Sequence, residues 1–274
     1  MPELPEVESL RRSLEPHLIG RRLRGVDIHF PMLRWAVPQG ALETMCQENP
    51  RLDKITRRGK YLGFHFNDQR VILSHLGMSG QWLVDEPYKP NHHMHIVLYL
   101  DDKRLTYRDP RRFGMIDVAM ESELLAHPRL RELGPEPLSE LFSVKTMWPN
   151  SRGAKTPIKT WLMNPKNVVG VGNIYASEAL HLAGIRPTLR TNRLSKPRLS
   201  ALIGHVKSVI SQAIESGGTT LQDYRNAEGE VGQFQLRLKV YGREGQSCEQ
   251  CGSEIRKVVI AQRSTFYCSV CQKF

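Results

Sequence analysis

The first residues of the chain are of the types that a covalent reaction on a sugar would use. An initiator Met before a small residue is commonly removed, which would leave Pro2 with a free secondary amine. An unperturbed α-amino group titrates at roughly 7.7–8.0, so part of it is neutral and nucleophilic near neutral pH. Such an amine can form an iminium with a sugar carbon, and Glu3 and Glu6 could move the protons. A purely structural alternative also exists, because Pro and Glu favour the first turn of a helix.

Four cysteines near the end of the chain have the spacing of a zinc ribbon. They form two C-x2-C pairs separated by 16 residues: Cys248 and Cys251, then Cys268 and Cys271. Two disulfides are the weaker alternative in a reducing cytosol. The residues between the pairs predict a β-hairpin with strands at 258–261 and 265–267. Its tip would be residues 262–264, where Arg263 could meet a phosphate.

The composition indicates a folded, basic protein of more than one domain. The chain has 274 residues, of which 40% are hydrophobic, and a net charge of +11. Residues 1–134 hold 20 Lys and Arg against 18 Asp and Glu, whereas residues 135–274 hold 19 against 10. The basic second half favours a polyanionic partner, nucleic acid first. We find no apolar run of about 20 residues and no signal peptide, which predicts a cytoplasmic protein without a membrane segment.

The first half of the chain predicts one helix followed by many strands. Leucines and a valine at helical spacing predict an amphipathic helix over residues 3–18 that ends at Gly20 and anchors Pro2. From about residue 21 to 118, short alternating segments predict a β-sandwich or barrel. Lys60 would lie on an apolar strand face, either as an end residue that reaches solvent or as a site residue.

Two glycine-bounded loops in this half, residues 75–80 and 109–114, carry large apolar side chains, and we call them the first and second wedge loops. Met78 and Phe113 should be exposed there, and apolar wedges beside arginines are how some proteins enter a base stack. The alternative for each side chain is that it folds back onto the core.

The second half of the chain reads as helical after a boundary at residues 131–138. Predicted helices cover residues 158–163, 173–183 and 195–214, with Asn173 and Ser195 as N-caps and Gly184 as the residue after the second helix. The glycine-rich turn before Asn173 lacks the third glycine of a dinucleotide fingerprint, but it remains a possible anion site. Residues 217–236 would connect elements or close over a ligand.

These features together resemble the bacterial formamidopyrimidine-DNA glycosylase family. The motifs that carry the resemblance run in order along the chain: Pro2-Glu-Leu-Pro-Glu6, Arg58-Gly-Lys60, His75-Leu-Gly-Met-Ser-Gly80, Asp109-Pro-Arg-Arg-Phe-Gly114, Val169-Gly-Val-Gly-Asn-Ile-Tyr-Ala176, Gly217-Gly-Thr-Thr-Leu221, the four cysteines and Gln262-Arg-Ser-Thr-Phe-Tyr267. The match spans the whole chain, so it is more specific than any single motif.

The resemblance implies a multidomain α+β fold. Its parts are an N-terminal catalytic β-sandwich with flanking helices at 1–133, a helix–two-turn–helix DNA-binding domain with a lesion-covering loop at 134–236, and a C-terminal zinc-ribbon β-hairpin at 237–274. It further implies one structural zinc ion, monomeric action, and double-stranded DNA with oxidised bases or abasic sites as the partner, bound in the cleft between the domains.

The resemblance also assigns residues. Pro2 would attack the sugar of an oxidised purine nucleotide, Glu3 would act as acid and base, and Glu6 would support the site, with β- and δ-elimination following. Lys60 and Arg263 complete the catalytic set. The implied DNA contacts are His75, Met78, His93, Arg111, Phe113, Lys155, Asn173, Tyr241 and Lys257, of which Met78, Arg111 and Phe113 would fill the gap left by a flipped nucleotide.

Three alternatives stay open at this level. A related endonuclease family acts on oxidised pyrimidines, but it usually has Gly where this chain has Leu4, and it lacks this combination of Met78 with Arg111 and Phe113. A zinc-ribbon DNA-binding protein without catalysis would explain the charge and the cysteines, but it leaves Lys60 and the Pro-led N-terminus without a role. An inactive relative that retains Met1 is the third.

Overall fold

A computed structural model of the chain describes residues 2–85, 93–219 and 234–274. The chain groups into two compact units, Met1–Arg131 with Ser216–Gln233 and Glu132–Glu215 with Phe234–Phe274. Met1 and residues 220–233, which include most of the predicted lesion-covering loop, lie outside the described residues. Within the described ranges, no helix is long and apolar enough to cross a membrane.

The first unit is an antiparallel β-sandwich with two helices. Helix α1 (Leu4–Leu18) precedes the strands, and α2 (Gln39–Glu48) lies between β1 and β2. The strands are β1 (Leu23–Ile28), β2 (Leu52–Arg58), β3 (Tyr61–Phe66), β4 (Arg70–His75), β5 (Gln81–Val84), β6 (Met94–Leu100), β7 (Lys103–Arg108) and β8 (Met115–Met120). One sheet has the order β1-β6-β7-β5 and the other β2-β3-β4-β8, so the predicted sandwich is confirmed.

The two sheets share one hydrophobic core. Phe64 of β3 and Trp82 of β5 meet edge to face at 5.6 Å, and Tyr107 of β7 packs 4.9 Å from Trp82. Fully burying an aromatic or aliphatic side chain of this size contributes roughly 1.5–3 kcal/mol. Alternate residues of each strand therefore supply the stability that holds the strand ends, and the loops between them, in place.

Helix α1 is fixed to this core by its apolar stripe, as its sequence spacing predicts. Leu10, Leu14 and Leu18 are at most 1% exposed. On the same helix, Glu8 accepts a hydrogen bond from Arg57 of β2 at 3.0 Å. The N-terminal residues of the chain are therefore attached to a helix that is anchored on the core.

The second unit combines helices with a β-hairpin. The helices are α3 (Val144–Arg152), α4 (Ile158–Leu162), α5 (Asn173–Leu182) and α6 (Lys196–Glu215), and the hairpin strands are β9 (Ile255–Ile260) and β10 (Arg263–Cys268). Arg263 pairs with Ile260 as the first residue of β10, so its predicted place at the hairpin tip is wrong. The turn is Ala261 and Gln262, with φ of 47° and 60°. Two successive left-handed residues make the tight turn that suits strand twist, which leaves no third residue at the tip.

Helix α5 begins one residue earlier than expected. Gly172 is the N-cap and Asn173 the first helical residue, so the prediction of Asn173 as N-cap is wrong. The carbonyl of Gly172 accepts the first helical hydrogen bond, from Ala176 at 3.1 Å. The side-chain amide of Asn173 therefore does not cap the helix. At the other end, Gly184 has φ of 62° and follows the helix as predicted.

Candidate active site and nucleic-acid interface

The N-terminus of the first unit is held by a reciprocal capping box. Glu3 is the N-cap of α1, and its side chain accepts a hydrogen bond from the backbone of Glu6. In return, the N–H of Glu3 donates to Oε2 of Glu6 at 2.7 Å. Both carboxylates are only 1% exposed, and Pro2 is buried beside them. The arrangement fixes the backbone that carries the Pro2 nitrogen, which an attacking amine needs.

The second oxygen of Glu6 binds a distant part of the chain. Oε1 accepts the N–H of Thr219 at 2.7 Å, and Thr219 follows two glycines with positive φ at the end of α6. A Cβ on Gly218 would lie 2.9 Å from Oε1 of Glu6 and 3.2 Å from its Cα. Only glycine therefore lets this turn approach the helix start so closely.

Lys60 and His75 form a second group in the same unit. Lys60 is half-buried in the turn before β3, and His75 ends β4. Burial, and then the positive charges of Lys60 and Arg34, lower the pKa of His75 to about 4. Neutral His75 accepts the N–H of Gly77 at Nδ1, at 3.0 Å, so its remaining ring proton is on Nε2. His75 is therefore a neutral donor beside a lysine, a pair suited to a phosphate oxygen.

A buried aspartate joins the two glycine-bounded loops. Asp109 is 0% exposed, and its carboxylate accepts hydrogen bonds from the Ser79 hydroxyl at 2.6 Å, the Gly114 N–H at 2.8 Å and the Arg111 N–H at 3.2 Å. Ser79 belongs to one loop, and Arg111 and Gly114 belong to the other. A single carboxylate thus sets both loops in one relative position.

The backbones of these two loops also touch. A Cβ on Gly77 would lie 2.4 Å from the carbonyl carbon of Phe113, and Gly77 has φ of 65°. Phe113 is 44% exposed, whereas Met78 is half-buried, so the exposed wedge is confirmed fully for Phe113 only. The guanidinium of Arg111 lies over the Phe113 ring, 5.1 Å from its centroid. The loops therefore present Met78, Arg111 and Phe113 as one preformed group, which we call the wedge set.

The second unit contains a buried lysine. Lys159 of α4 is 1% exposed, and its Nζ donates to Oδ1 of Asn173 at 2.6 Å and to the Thr265 hydroxyl at 2.7 Å. The Nδ2 of Asn173 donates to the carbonyl of Ser264 at 3.0 Å. These bonds join the first residue of α5 to the start of β10, immediately after Arg263. Lys159 therefore sets the position of two residues that the sequence assigns to phosphate binding.

A buried glutamate supports the same region. Glu178 of α5 accepts three backbone N–H groups, from Lys239, Val240 and Tyr241, at 2.8, 3.0 and 2.8 Å. Burial raises the pKa of Glu178, and these three hydrogen bonds oppose the rise. The Tyr241 hydroxyl accepts a hydrogen bond from Asn173 at 3.4 Å. Tyr241 and Asn173 are thus adjacent, as expected for two residues that were both predicted to contact DNA.

The remaining predicted residues are placed less closely together. Lys155 is exposed and lines a cavity of about 660 Å³ together with Lys159 and Arg263. Lys257 is exposed and forms an ion pair with Glu244 at 2.9 Å. His93 precedes β6, and its carbonyl accepts the N–H of Asp109 at 3.0 Å, so its backbone is bonded to the first residue of the second wedge loop.

The four cysteines come together as a metal centre would require. Their sulfur atoms all lie within 4.8 Å of one another, with Cys248 and Cys271 at 3.9 Å and Cys251 and Cys268 at 3.5 Å. Sulfurs bound at about 2.3 Å to a tetrahedral zinc lie roughly 3.8 Å apart. Four thiolates with no open position suit one structural zinc ion, which would hold the hairpin and perform no chemistry.

Sequence reasoning did not identify Asp109, Lys159 and Glu178 as positioning residues. Asp109 stands inside a quoted motif, but its role depends on Ser79, which is 30 residues away. Lys159 and Thr265 are 106 residues apart. The only local signal of the contact between Lys159 and Thr265 is a lysine within a short amphipathic segment. This signal does not indicate which residue the lysine contacts.

Comparison with known proteins gives one consistent family. The chain matches the model of the Formamidopyrimidine-DNA glycosylase N-terminal domain over residues 1–116, that of the Formamidopyrimidine-DNA glycosylase H2TH domain over 133–225, and that of a zinc finger found in FPG and IleRS over 245–273. It is 45% identical to a formamidopyrimidine-DNA glycosylase of Hahella chejuensis, with 100% of each chain covered.

Solved structures agree with this result. The MutM (Fpg) protein of Thermus thermophilus has a TM-score of 0.89 at 36% identity, covering 99% of this chain and 98% of its own. Lactococcus lactis Fpg in complex with DNA containing an abasic site has a TM-score of 0.90 at 34% identity, covering 99% and 100%. The same Fpg with DNA containing an oxidised pyrimidine has a TM-score of 0.89 at 34% identity, covering 100% of both chains.

Proposed function

The chain belongs to the formamidopyrimidine-DNA glycosylase family and is a DNA glycosylase of base excision repair, and we propose that it removes oxidised purines through Pro2 and then cuts the DNA strand. The observation that carries this proposal is the fixed N-terminus, where the Glu3–Glu6 capping box holds Pro2. We further propose that its partner is double-stranded DNA with oxidised bases or abasic sites, and that it acts in the bacterial cytoplasm.

The proposed chemistry starts at the Pro2 nitrogen. After loss of Met1, the neutral amine attacks C1′ of the damaged nucleotide, and the bond from C1′ to the base breaks as the base takes up a proton. Opening of the sugar ring gives an iminium, and Glu3 supplies and removes protons at the sugar. Loss of a C2′ proton then expels the 3′ phosphate, and a second elimination expels the 5′ phosphate. Hydrolysis of the iminium restores the amine.

The other site residues hold the DNA in this proposal. Lys60 and neutral His75 bind a phosphate beside the lesion, and the Asp109-linked loops insert Met78 and Phe113 where the flipped nucleotide leaves the stack. In the second unit, Asn173 and Arg263 contact further phosphates, and their common support by Lys159 favours this assignment. The zinc ion keeps the hairpin of Arg263 rigid.

Oxidised pyrimidines are a second candidate substrate class. The observation in their favour is the Lactococcus lactis Fpg structure with an oxidised pyrimidine. Leu4 and the wedge set favour purines as the main substrate.

Borohydride trapping tests the proposal. Protein lacking Met1 is incubated with a duplex containing one 8-oxoguanine opposite cytosine, reduced with borohydride and analysed by intact and peptide mass. We expect a covalent adduct on residue 2, because reduction converts the iminium into a stable amine. A parallel reaction uses a duplex with an oxidised pyrimidine, and a slower adduct yield there supports the purine assignment.

Protein that retains Met1 is the matched control, since its Pro2 nitrogen is an amide and cannot attack. We expect no adduct from it. An adduct on a lysine in place of Pro2, or no adduct from processed protein that binds both duplexes, would refute the assignment of Pro2 as the nucleophile.

A further inference from the structure

Two arginines of the first unit share one tryptophan ring. The Cζ atoms of Arg34 and Arg129 lie 4.6 Å and 3.7 Å from the ring centroid of Trp35. Arg34 is exposed, and Trp35 and Arg129 are partly exposed. A guanidinium over an indole gains about 0.5–1 kcal/mol at an exposed site, but two such cations close together repel each other. We call this group the Arg34–Trp35–Arg129 stack.

No carboxylate in the described part of the chain forms an ion pair with either arginine of the stack. Other arginines of the same unit do have such partners: Arg11 with Glu8, Arg24 with Asp101, and Arg70 with Asp68 and Glu48. Each arginine of the stack therefore keeps its full charge and leaves the edge of its guanidinium available for an anion. Since both cations sit on one rigid ring, they are already ordered before an anion arrives.

The stack adjoins the residues assigned to DNA. The N–H of Arg34 donates to the carbonyl of Gly114 at 3.3 Å, at the end of the second wedge loop. Burial and the charges of Lys60 and Arg34 lower the pKa of His75. Burial raises the pKa of Tyr61, the charges of Arg129 and Arg34 oppose the rise, and the Tyr61 ring lies 4.7 Å from that of His75. The stack thus extends the positive surface of Lys60, beside which neutral His75 lies.

From this geometry we propose that the Arg34–Trp35–Arg129 stack is a further contact surface for the phosphate backbone of DNA, an inference that rests on the proposed function. The Trp35 ring is already covered by guanidinium groups, so it contributes support for the cations and does not stack on a base. The surface therefore strengthens binding to any DNA sequence and does not select the lesion.

Salt-dependent binding tests this surface. Affinities of wild type, Arg34→Gln, Arg129→Gln and the double variant are measured by fluorescence anisotropy between 0.05 and 0.3 M KCl, on an undamaged duplex and on one with a tetrahydrofuran abasic analogue. Each phosphate contact on duplex DNA contributes about 0.9 to the slope of log K against log salt. We expect each single variant to lower the slope by about 1 and the affinity at 0.15 M by about fivefold, equally on both duplexes.

Arg131→Gln is the matched control, because it removes the same charge two residues from Arg129, at an exposed position without a stacked ring. Trp35→Leu tests the support by the ring, because it leaves the net charge unchanged, and we expect it to weaken binding about threefold. An effect of Arg131→Gln as large as that of Arg129→Gln, or unchanged slopes in the double variant, would overturn the inference. Failure of the proposed function would show separately, as wild-type protein that binds but gives no borohydride adduct.

Discussion

Replacing Asp109 by Asn should uncouple the two wedge loops with almost no change in side-chain volume. The buried carboxylate accepts three hydrogen bonds, from the Ser79 hydroxyl and from the N–H groups of Arg111 and Gly114. Asn offers only one acceptor oxygen, and its amide N–H₂ would face the N–H of Gly114. One buried donor is then left without a partner, and the other two bonds lose a charged acceptor.

The size of the effect follows from these contacts. An unsatisfied buried donor costs about 1–3 kcal/mol, and a hydrogen bond to a charged group is worth about 1 kcal/mol more than a neutral one. We expect a loss of about 2–4 kcal/mol in the free energy of unfolding and a decrease of roughly 5–10 °C in the melting temperature. Because the wedge set loses its fixed position, affinity for a duplex with an abasic analogue should fall about tenfold, and affinity for undamaged duplex should fall less.

The assay combines thermal unfolding with anisotropy titrations on the two duplexes. Asp117→Asn is the control, since Asp117 lies in β8, is partly exposed, and bonds to Val118 and His127 and to neither loop. Ser79→Ala removes one of the three bonds and should give an intermediate result. If Asp109→Asn has the melting temperature of wild type and keeps the wild-type preference for the abasic duplex, the carboxylate does not organise the wedge loops.

Three further predictions concern other groups. Lys159→Met should weaken DNA binding about tenfold with one zinc per chain retained, because Asn173 and Thr265 lose their shared donor; an equal effect of Lys166→Met, at an exposed ion pair, would contradict this role. The pKa of His75 is lowered from 6.5 to about 4. Its neutral form therefore stabilises the fold fully above pH 6.5, and up to about 3 kcal/mol is lost as the pH falls toward 4; His75→Gln should flatten this part of the curve in urea titrations from pH 7 to 4. Replacing the first two zinc-ribbon cysteines by Ser should abolish zinc binding and lower DNA affinity at least tenfold, with the melting of the first unit unchanged by calorimetry.

Local sequence patterns predicted the elements that hold the N-terminal site. The apolar spacing of α1 corresponds closely to the helix observed, because its leucines are buried on one face. Strands β3 and β4 are buried on both faces, and their short apolar runs correspond to the strands observed. The wedge loops were also found, since glycines mark turns and Phe113 stands out there. The zinc centre was predicted from cysteine spacing alone, because few other folds require four cysteines at this spacing.

Some features that the sequence did not predict have weak local signals, and others depend on contacts between distant residues. Helix α2 was missed because its stripe is short, with only Leu42 and Met45 buried. The hairpin tip was misplaced because Ala261 and Gln262 adopt positive φ without being glycine. Asp109 and Lys159 read as ordinary polar residues, and only the fold brings their partners to them.

The shared use of Glu6 has a consequence for how related sequences can diverge. Its two carboxylate oxygens accept hydrogen bonds from the N–H groups of Glu3 and Thr219, and Thr219 lies 213 residues further along the chain than Glu6. A side chain at position 218 would displace the carboxylate, and a shorter side chain at position 6 would leave both N–H groups without an acceptor. A lineage that loses the carboxylate at position 6 therefore removes one of the contacts that exclude a Cβ at position 218, while the φ of 84° there still favours glycine.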